Sequence, residues 1–403
     1  MASNVVVNRI VRGCLVGLLL SAAAGAQVLT FVDGWREGIG GIDGIRGNRG
    51  VVVTEDGRYV YAGGETDNGL TVFSRDRDTG ELTQIQVLKN GIGGIDGLGG
   101  ANVVRLSPGE DNVYVSGFFQ DSLAVFARDK HTGLLTEIQV LKDGVGGIDG
   151  LNGALWIAVS QNGKNLYLTG FFDNAVVVFD RDKQDGTLTL HQLLRAGVGG
   201  ITGIRGAYSM FMDKEDKFVY VGGLQDNAIV VFSRSKSNGE LSQVQMLQDG
   251  VGGIDGLAAV RGLIGDRHDD NLYSVAIADN AISSFAIDKH DGTLTQLQVV
   301  KDTDVGIDGL KGATGINIDP DGRFVYAAAF SEGRLSVWER SSSTGLLTLS
   351  QVLINGIATP CCQIGPIDIY PTRDGCQIYT ANYSTSSILL FDVVDCHHDE
   401  DDD

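Results

Sequence analysis

The sequence predicts an all-β fold, a seven-bladed β-propeller with four antiparallel strands per blade, closed by the N-terminal strand completing the last blade. Three observations carry this. A 53-residue period runs through the chain without an insertion, as in Tyr61, Tyr114, Tyr167, Tyr220, Tyr273, Tyr326 and Tyr379. Each period contains four short runs rich in β-branched and aromatic residues, separated by Asp-Asn, Asp-Gly or Thr-Gly turns. The two ends are out of phase with the repeat. LTFVDGWREG (29–38) aligns on LTQIQVLKNG (82–91), a fourth run, whereas the last period stops after its third.

The elements follow in order. In the second period the runs are VVRLS, NVYVSGF, SLAVFARD and LLTEIQVL. No stretch sustains helical periodicity. Four strands repeated radially bury both faces of each sheet against neighbours, and ring closure removes the exposed edges that invite aggregation. The glycines, 57 of 403 residues against only 5 prolines, recur at the same turn positions, above all in the GIDG loops at Gly41, Gly94, Gly147 and Gly253 and the GITG variant at Gly200. They mark repeated turns rather than a disordered linker.

Residues 1–26 read as a signal peptide. Arg9 and Arg12 form the basic region, Cys14–Ala23 the apolar stretch, and Ala24-Gly25-Ala26 the cleavage site. The propeller then covers 27–396 and an acidic tail 397–403. The expected location is secreted or periplasmic, with no membrane insertion. With 51 acids against 31 bases, the net charge of −20 excludes a nucleic-acid-binding surface.

The strands and turns TEDGRYVYAGG (54–64), DPDGRFVYAAA (319–329) and DNAVVVFDRDKQDGTLT (173–189) resemble the lactonase-type seven-bladed propellers with YVTN-like repeats. The likeness spans nearly the whole chain after the signal segment. It implies sugar-lactone hydrolase or carboxymuconate-cyclase chemistry, with His, Glu and Arg near the central channel. None of His131, His191, His268 or His290 falls where the top of an inner strand would place it at the channel mouth.

Because the repeats are so alike, positions where one blade departs are the informative ones. The position after the second strand reads Glu65, Phe118, Phe171, Leu224, Ile277, Phe330, Tyr383, so Glu65 is the one carboxylate and a candidate acid or base. Asp368 and Trp156 share an inner-strand position otherwise held by Gly, Val and Ser, which makes Asp368 a second catalytic candidate and Trp156 a pocket-lining one. Arg46, Arg49, Arg205, Arg261 and Tyr208 occupy two further inner positions of mixed polarity. They are expected either to clamp a carboxylate or phosphate or to neutralise the aspartate column of the Gly-rich loops through structural ion pairs.

Asp43, Asp96, Asp149, Asp255 and Asp308 form a recurring column in the Gly-rich loops. The alternatives are a calcium ligand set and carboxylates bonded to N–H groups of their own turns. No other cofactor is implied. Among the cysteines, Cys376 opens the last period's second strand and Cys396 follows its third, so these two are expected to pair. Near-identical blades favour a secreted, monomeric binding or scaffold module presenting channel-face loops to a small anionic molecule, glycan or protein. The alternative is a lactone hydrolase or cyclase using Glu65 or Asp368 with the channel arginines.

Overall fold

The computed structural model describes residues 28–354, 365–394 and 396; the expected signal peptide, Cys361 and Cys362, and the acidic tail lie outside them. The described residues form twenty-eight strands in seven four-stranded antiparallel sheets, without a helix. The first blade runs outward through Asn48–Val53, Tyr59–Gly64, Gly69–Arg75 and Leu82–Lys89. The last blade takes three strands from the C-terminal end, Pro366–Pro371, Gln377–Asn382 and Ser387–Val393, and its outer strand, Leu29–Arg36, from the N-terminus. Leu29 pairs with Val393 and Arg36 with Ser387. The ring therefore closes by main-chain pairing between the chain's two ends.

Burial explains the strand patterns. The second strand of the first blade is buried along its whole length, because neighbouring blades cover both faces. Its fourth strand alternates in exposure, as an outer edge should. Between blades, a polar network recurs. Tyr114 donates its hydroxyl proton to Gly186 O (2.9 Å), and Arg181 of the next blade donates to that hydroxyl (Nε, 2.5 Å), to Gly163 O (3.1 Å) and to Asn112 Oδ1 (2.6 Å). The same Tyr–Arg pairing joins Tyr61 to Arg128, Tyr167 to Arg234, Tyr273 to Arg340 and, across the seam, Tyr379 to Arg75. Two junctions lack the arginine: Ile287 faces Tyr220 and Val393 occupies the position facing Tyr326. There the Asn or Gln partner is also gone, replaced by Phe218 and Phe324. At these two junctions both polar partners are replaced by apolar residues, whereas at the Tyr61 junction Arg128 is kept although Tyr59 stands in the amide's place, its ring 5.4 Å from the guanidinium.

A second clamp runs around the outside. Gln139 exchanges two hydrogen bonds with the main chain of Leu188, and Gln351 does the same with Leu29 of the N-terminal strand. A disulfide joins Cys376 to Cys396, Cα atoms 5.2 Å apart, tying the last blade's second strand to the residue following its third. No helix among the described residues is long and apolar enough to cross a membrane.

Candidate functional site

The inner strand of each blade begins, and the second strand ends, on one face of the ring. Glu65 N donates to Gly47 O there (3.1 Å), and Thr66 N to Arg46 O (3.0 Å). Each inner strand carries a β-bulge near its start, between Asn48 and Gly50 in the first blade, Ala207 and Ser209 in the fourth, and Val260 and Gly262 in the fifth. A bulge re-aims the extra side chain. The residues so placed are Arg49, Tyr208 and Arg261.

Glu65 is 3 % exposed. Arg49 Nε lies 2.7 Å from its Oε2, Arg49 Nη2 donates to Oε1 (3.3 Å), and Asn102 Nδ2 of the second blade donates to Oε2 (3.0 Å). The Arg49 guanidinium lies 4.4 Å from the ring centre of Tyr383 in the last blade, a cation–π contact. Burial works against its charge, but Tyr208 and Glu65 hold its pKa above the ordinary value. Arg261 lies over the Tyr208 ring at 4.7 Å. Glu65, Arg49, Asn102 and Tyr383 thus form one polar sector contributed by three adjacent blades, with Tyr208 and Arg261 in the fourth and fifth.

The adjoining wall, on the second and third blades, is aromatic. Phe118 and Phe171 have ring centres 6.4 Å apart, Phe171 and Phe172 5.0 Å, and Phe171 and Tyr208 6.1 Å. Phe119, 5.5 Å from Phe118, and Phe172 present their rings to solvent, 62 % and 55 % exposed. Phe172 sits over Gly153, where an added Cβ would lie 2.7 Å from the ring. The ring therefore needs the glycine beneath it.

Further along the inner strands is a second polar group. Asp368 Oδ1 accepts from Ile369 N (3.1 Å) and Oδ2 from Val51 N (3.4 Å). Burial raises its pKa and the charge of Arg105 opposes the rise. Arg105 stacks on Trp156 at 4.9 Å. Tyr370, also close to Arg105, is pushed up to about 12, chiefly by burial. No hydrogen bond or ion pair joins Asp368 to Glu65 among the described residues.

Arg105 was not among the sequence-derived candidates. Its position reads Val52, Arg105, Ala158, Phe211, Ile264, Asn317, Tyr370, so the departure rule that finds Glu65 also finds this single charge. Asn102 was missed because it matters only through a cross-blade bond. Arg46 and Arg205, by contrast, sit on the exposed rim. They face Asp67 (3.8 Å) and Asp226 (2.5 Å) rather than the aspartate column.

The aspartate column stands beside the fourth-strand ends. Lys89 Nζ is 2.6 Å from Asp43, Lys142 Nζ 2.7 Å from Asp96, Arg195 Nη2 2.8 Å from Asp149 and Lys301 Nζ 2.8 Å from Asp255. In the sixth blade the fourth strand offers Ile354, and Arg334 of the third strand pairs with Asp308 instead. Three of these carboxylates also accept from their own turns, through Gly97, Gly256 and Gly309 N–H. Asp43, Asp96, Asp149 and Asp255 are held below the usual carboxylate range, first by the hydrogen bond from the paired Lys or Arg. Three or more carboxylates gather at four of these places, for example Glu37, Asp43 and Asp67 within 4.8 Å. In each the counter-charge is supplied by a side chain of the protein.

The fourth blade breaks this pattern. Thr202 and Gln248 replace the acid and base, and a cavity of about 320 Å³ opens there, lined in part by Arg205, Asp226, Met246 and Gln248.

The described histidines stay away from the mouth. His191 pairs with Asp180 on the outer strand (2.9 Å), His131 and His290 bond to Asp129 and Asp288 in turns, and His268 lies in the loop after its blade's inner strand.

Comparison with known proteins fixes the family. The profile described as "Lactonase, 7-bladed beta-propeller" matches residues 42–144, 148–250 and 261–395. The chain belongs to the lactonase family of seven-bladed β-propellers. A 6-phosphogluconolactonase from Pectobacterium carotovorum is 23% identical over 277 residues, covering 67% of this chain and 74% of that protein. The solved periplasmic gluconolactonase of Pseudomonas aeruginosa superposes with a TM-score of 0.64 at 18% identity, over 83% of this chain and 88% of that one. Hydrazine synthase of Kuenenia stuttgartiensis gives 0.63 at 15% identity, over 89% and 99%. At such identities the structural likenesses speak to the fold alone, and the hydrazine synthase shows how widely its functions range.

Proposed function

We propose that the protein is an exported lactone hydrolase whose reaction takes place at the mouth of the channel, beside Glu65. The observation that carries this is the asymmetry of the mouth. Among seven equivalent positions one alone is a carboxylate, and it is buried and fixed by Arg49 and Asn102. A repeated scaffold needs no such departure for stability, whereas catalysis needs groups in unequal roles. The lactonase relatives support the same class of reaction over a binding or scaffold role.

In this reading Glu65 takes a proton from water as the water oxygen adds to the lactone carbonyl carbon. Arg261, with no ion-pair partner among the described residues, faces the developing oxyanion with Tyr208 beside it. Collapse of the tetrahedral intermediate breaks the ring C–O bond. The proton held on Glu65 passes to the leaving alkoxide, giving the open hydroxy acid and restoring the carboxylate. Arg49 and Asn102 are positioning residues that hold Glu65 in one orientation. The leader-like first 26 residues, the disulfide and the periplasmic location of the Pseudomonas relative support export.

Hydrolysis of glucono-1,5-lactone, followed by proton release, is the test. Turnover abolished by Glu65→Gln supports the assignment, and equal turnover in both proteins refutes it.

A further inference from the structure

We infer that the substrate is a lactone bearing an aromatic or apolar substituent, held by Phe119 and Phe172, rather than a phosphorylated sugar lactone. The inference rests on the proposed hydrolase reading and goes beyond it by assigning a substrate class.

The first argument is charge. A phosphate monoester is held by bases free to form charge-assisted hydrogen bonds. At this mouth Arg46 faces Asp67, Arg205 faces Asp226 and Arg49 faces Glu65. Arg261 lies against Tyr208, where it is needed at the carbonyl. That leaves the exposed Lys311, close enough to Glu332 to act on its titration, and, further along the inner strands, Arg105, stacked on Trp156 with its charge acting on the buried Asp368. Two separate bases, each opposed by a carboxylate, are a poor dianion site.

The second argument is the aromatic wall. Phe118, Phe171 and Tyr208 are half-buried and form its base, while Phe119 and Phe172 turn their rings to solvent. Singly scattered exposed apolar side chains are ordinary, but a cluster of aromatic rings in mutual contact with two of them open to solvent is the kind of patch that takes a ligand. The other five blades put Thr66, Gln225, Ala278, Ser331 and Ser384 at the equivalent positions, so the pair is confined to the second and third blades. Gly100 and Gly153 lie directly beneath the two rings. The platform joins the polar sector through Tyr208, whose ring meets both Phe171 and Arg261. In this reading an aryl lactone lays its ring on the phenylalanines and turns its carbonyl toward the polar groups beyond Tyr208.

The test uses the purified protein with dihydrocoumarin, glucono-1,5-lactone and 6-phosphogluconolactone. We expect the highest kcat/KM on dihydrocoumarin and a fall of about tenfold or more in its ratio to glucono-1,5-lactone in the Phe119→Ala/Phe172→Ala double variant. Preference for the phosphorylated sugar lactone, or an unchanged ratio, overturns the inference. A calorimetric titration with the unhydrolysable lactam 3,4-dihydro-2-quinolinone separates the platform from the chemistry. Binding that weakens about tenfold in the double variant supports the platform even if no lactone is hydrolysed. No binding to the unaltered protein overturns it.

Discussion

Two of the inter-blade junctions show how a third could be rebuilt. Arg181 is 9 % exposed and makes hydrogen bonds to Tyr114, Gly163 and Asn112. Arg181→Ile leaves three acceptors unsatisfied. At roughly 1 kcal/mol each the cost is about 3 kcal/mol, net of the solvation the guanidinium regains on unfolding. Unfolding entropy of about 2.1 cal/mol/K per residue over roughly 360 residues gives about 0.8 kcal/mol/K, so Tm falls by roughly 4 °C.

At the Tyr220 junction the chain itself carries isoleucine at this position, Ile287, and there Phe218 stands where Asn112 does here. Gly186 is as close to Asn112 as Gly292 is to Phe218, so the phenylalanine has the same seat. Adding Asn112→Phe to Arg181→Ile is therefore expected to recover at least half of the loss, although Asn112→Phe alone strands the guanidinium and destabilises. Scanning calorimetry and urea unfolding of the four proteins complete the cycle. Strict additivity of the two changes would refute the view that the arginine and its amide partner are energetically coupled.

Three further outcomes follow. Reducing the Cys376–Cys396 disulfide, which spans 20 residues, should lower stability by about 3 kcal/mol on the chain-entropy argument while leaving lactone turnover in the folded protein intact; urea titration with and without reductant reads this. Asp213 is buried and its pKa is pushed up to about 6, chiefly by burial. The folded state therefore holds its proton longer than the unfolded chain, and its contribution to stability declines as pH rises from about 4 to about 6. Asp213→Asn should accordingly gain stability relative to the native protein across that window, by up to about 3 kcal/mol, and a difference that does not change with pH would contradict this. Finally, Asp43, Asp96, Asp149 and Asp255 are lowered by their Lys or Arg partners, so what they contribute is present above the ordinary aspartate pKa and lost in stronger acid. A Lys89→Met variant should show a shallower loss of Tm below about pH 4 than the native protein.

The ring was legible because the repeat makes local and global signals agree: the same turn glycines and the same buried tyrosine return at every step. Closure was legible for the same reason, since residues 29–38 match a fourth strand with no gap. The disulfide followed from the strand ends that Cys376 and Cys396 occupy.

The site was legible only in part. Glu65 stood out as a lone acid in an apolar column, but its partners Arg49 and Asn102 are fixed by a bulge and by the neighbouring blade, and neither distance is written in one repeat. The bases expected to neutralise the aspartate column face Asp67, Asp226 and Glu65 instead, while the column is matched by lysines and arginines of outer strands. Spacing along the chain gave both sets but not their pairing, because a blade brings its outermost strand's end back to the loop that leads into its own inner strand.

The central claim is that Glu65 makes this mouth a hydrolytic site. The most direct measurement is proton release from dihydrocoumarin by the purified protein beside Glu65→Gln, with equal Tm values confirming that both are folded. The account predicts turnover in the first and a loss of at least a hundredfold in the second. Equal rates in the two proteins, or no turnover above the spontaneous reaction in either, would contradict it.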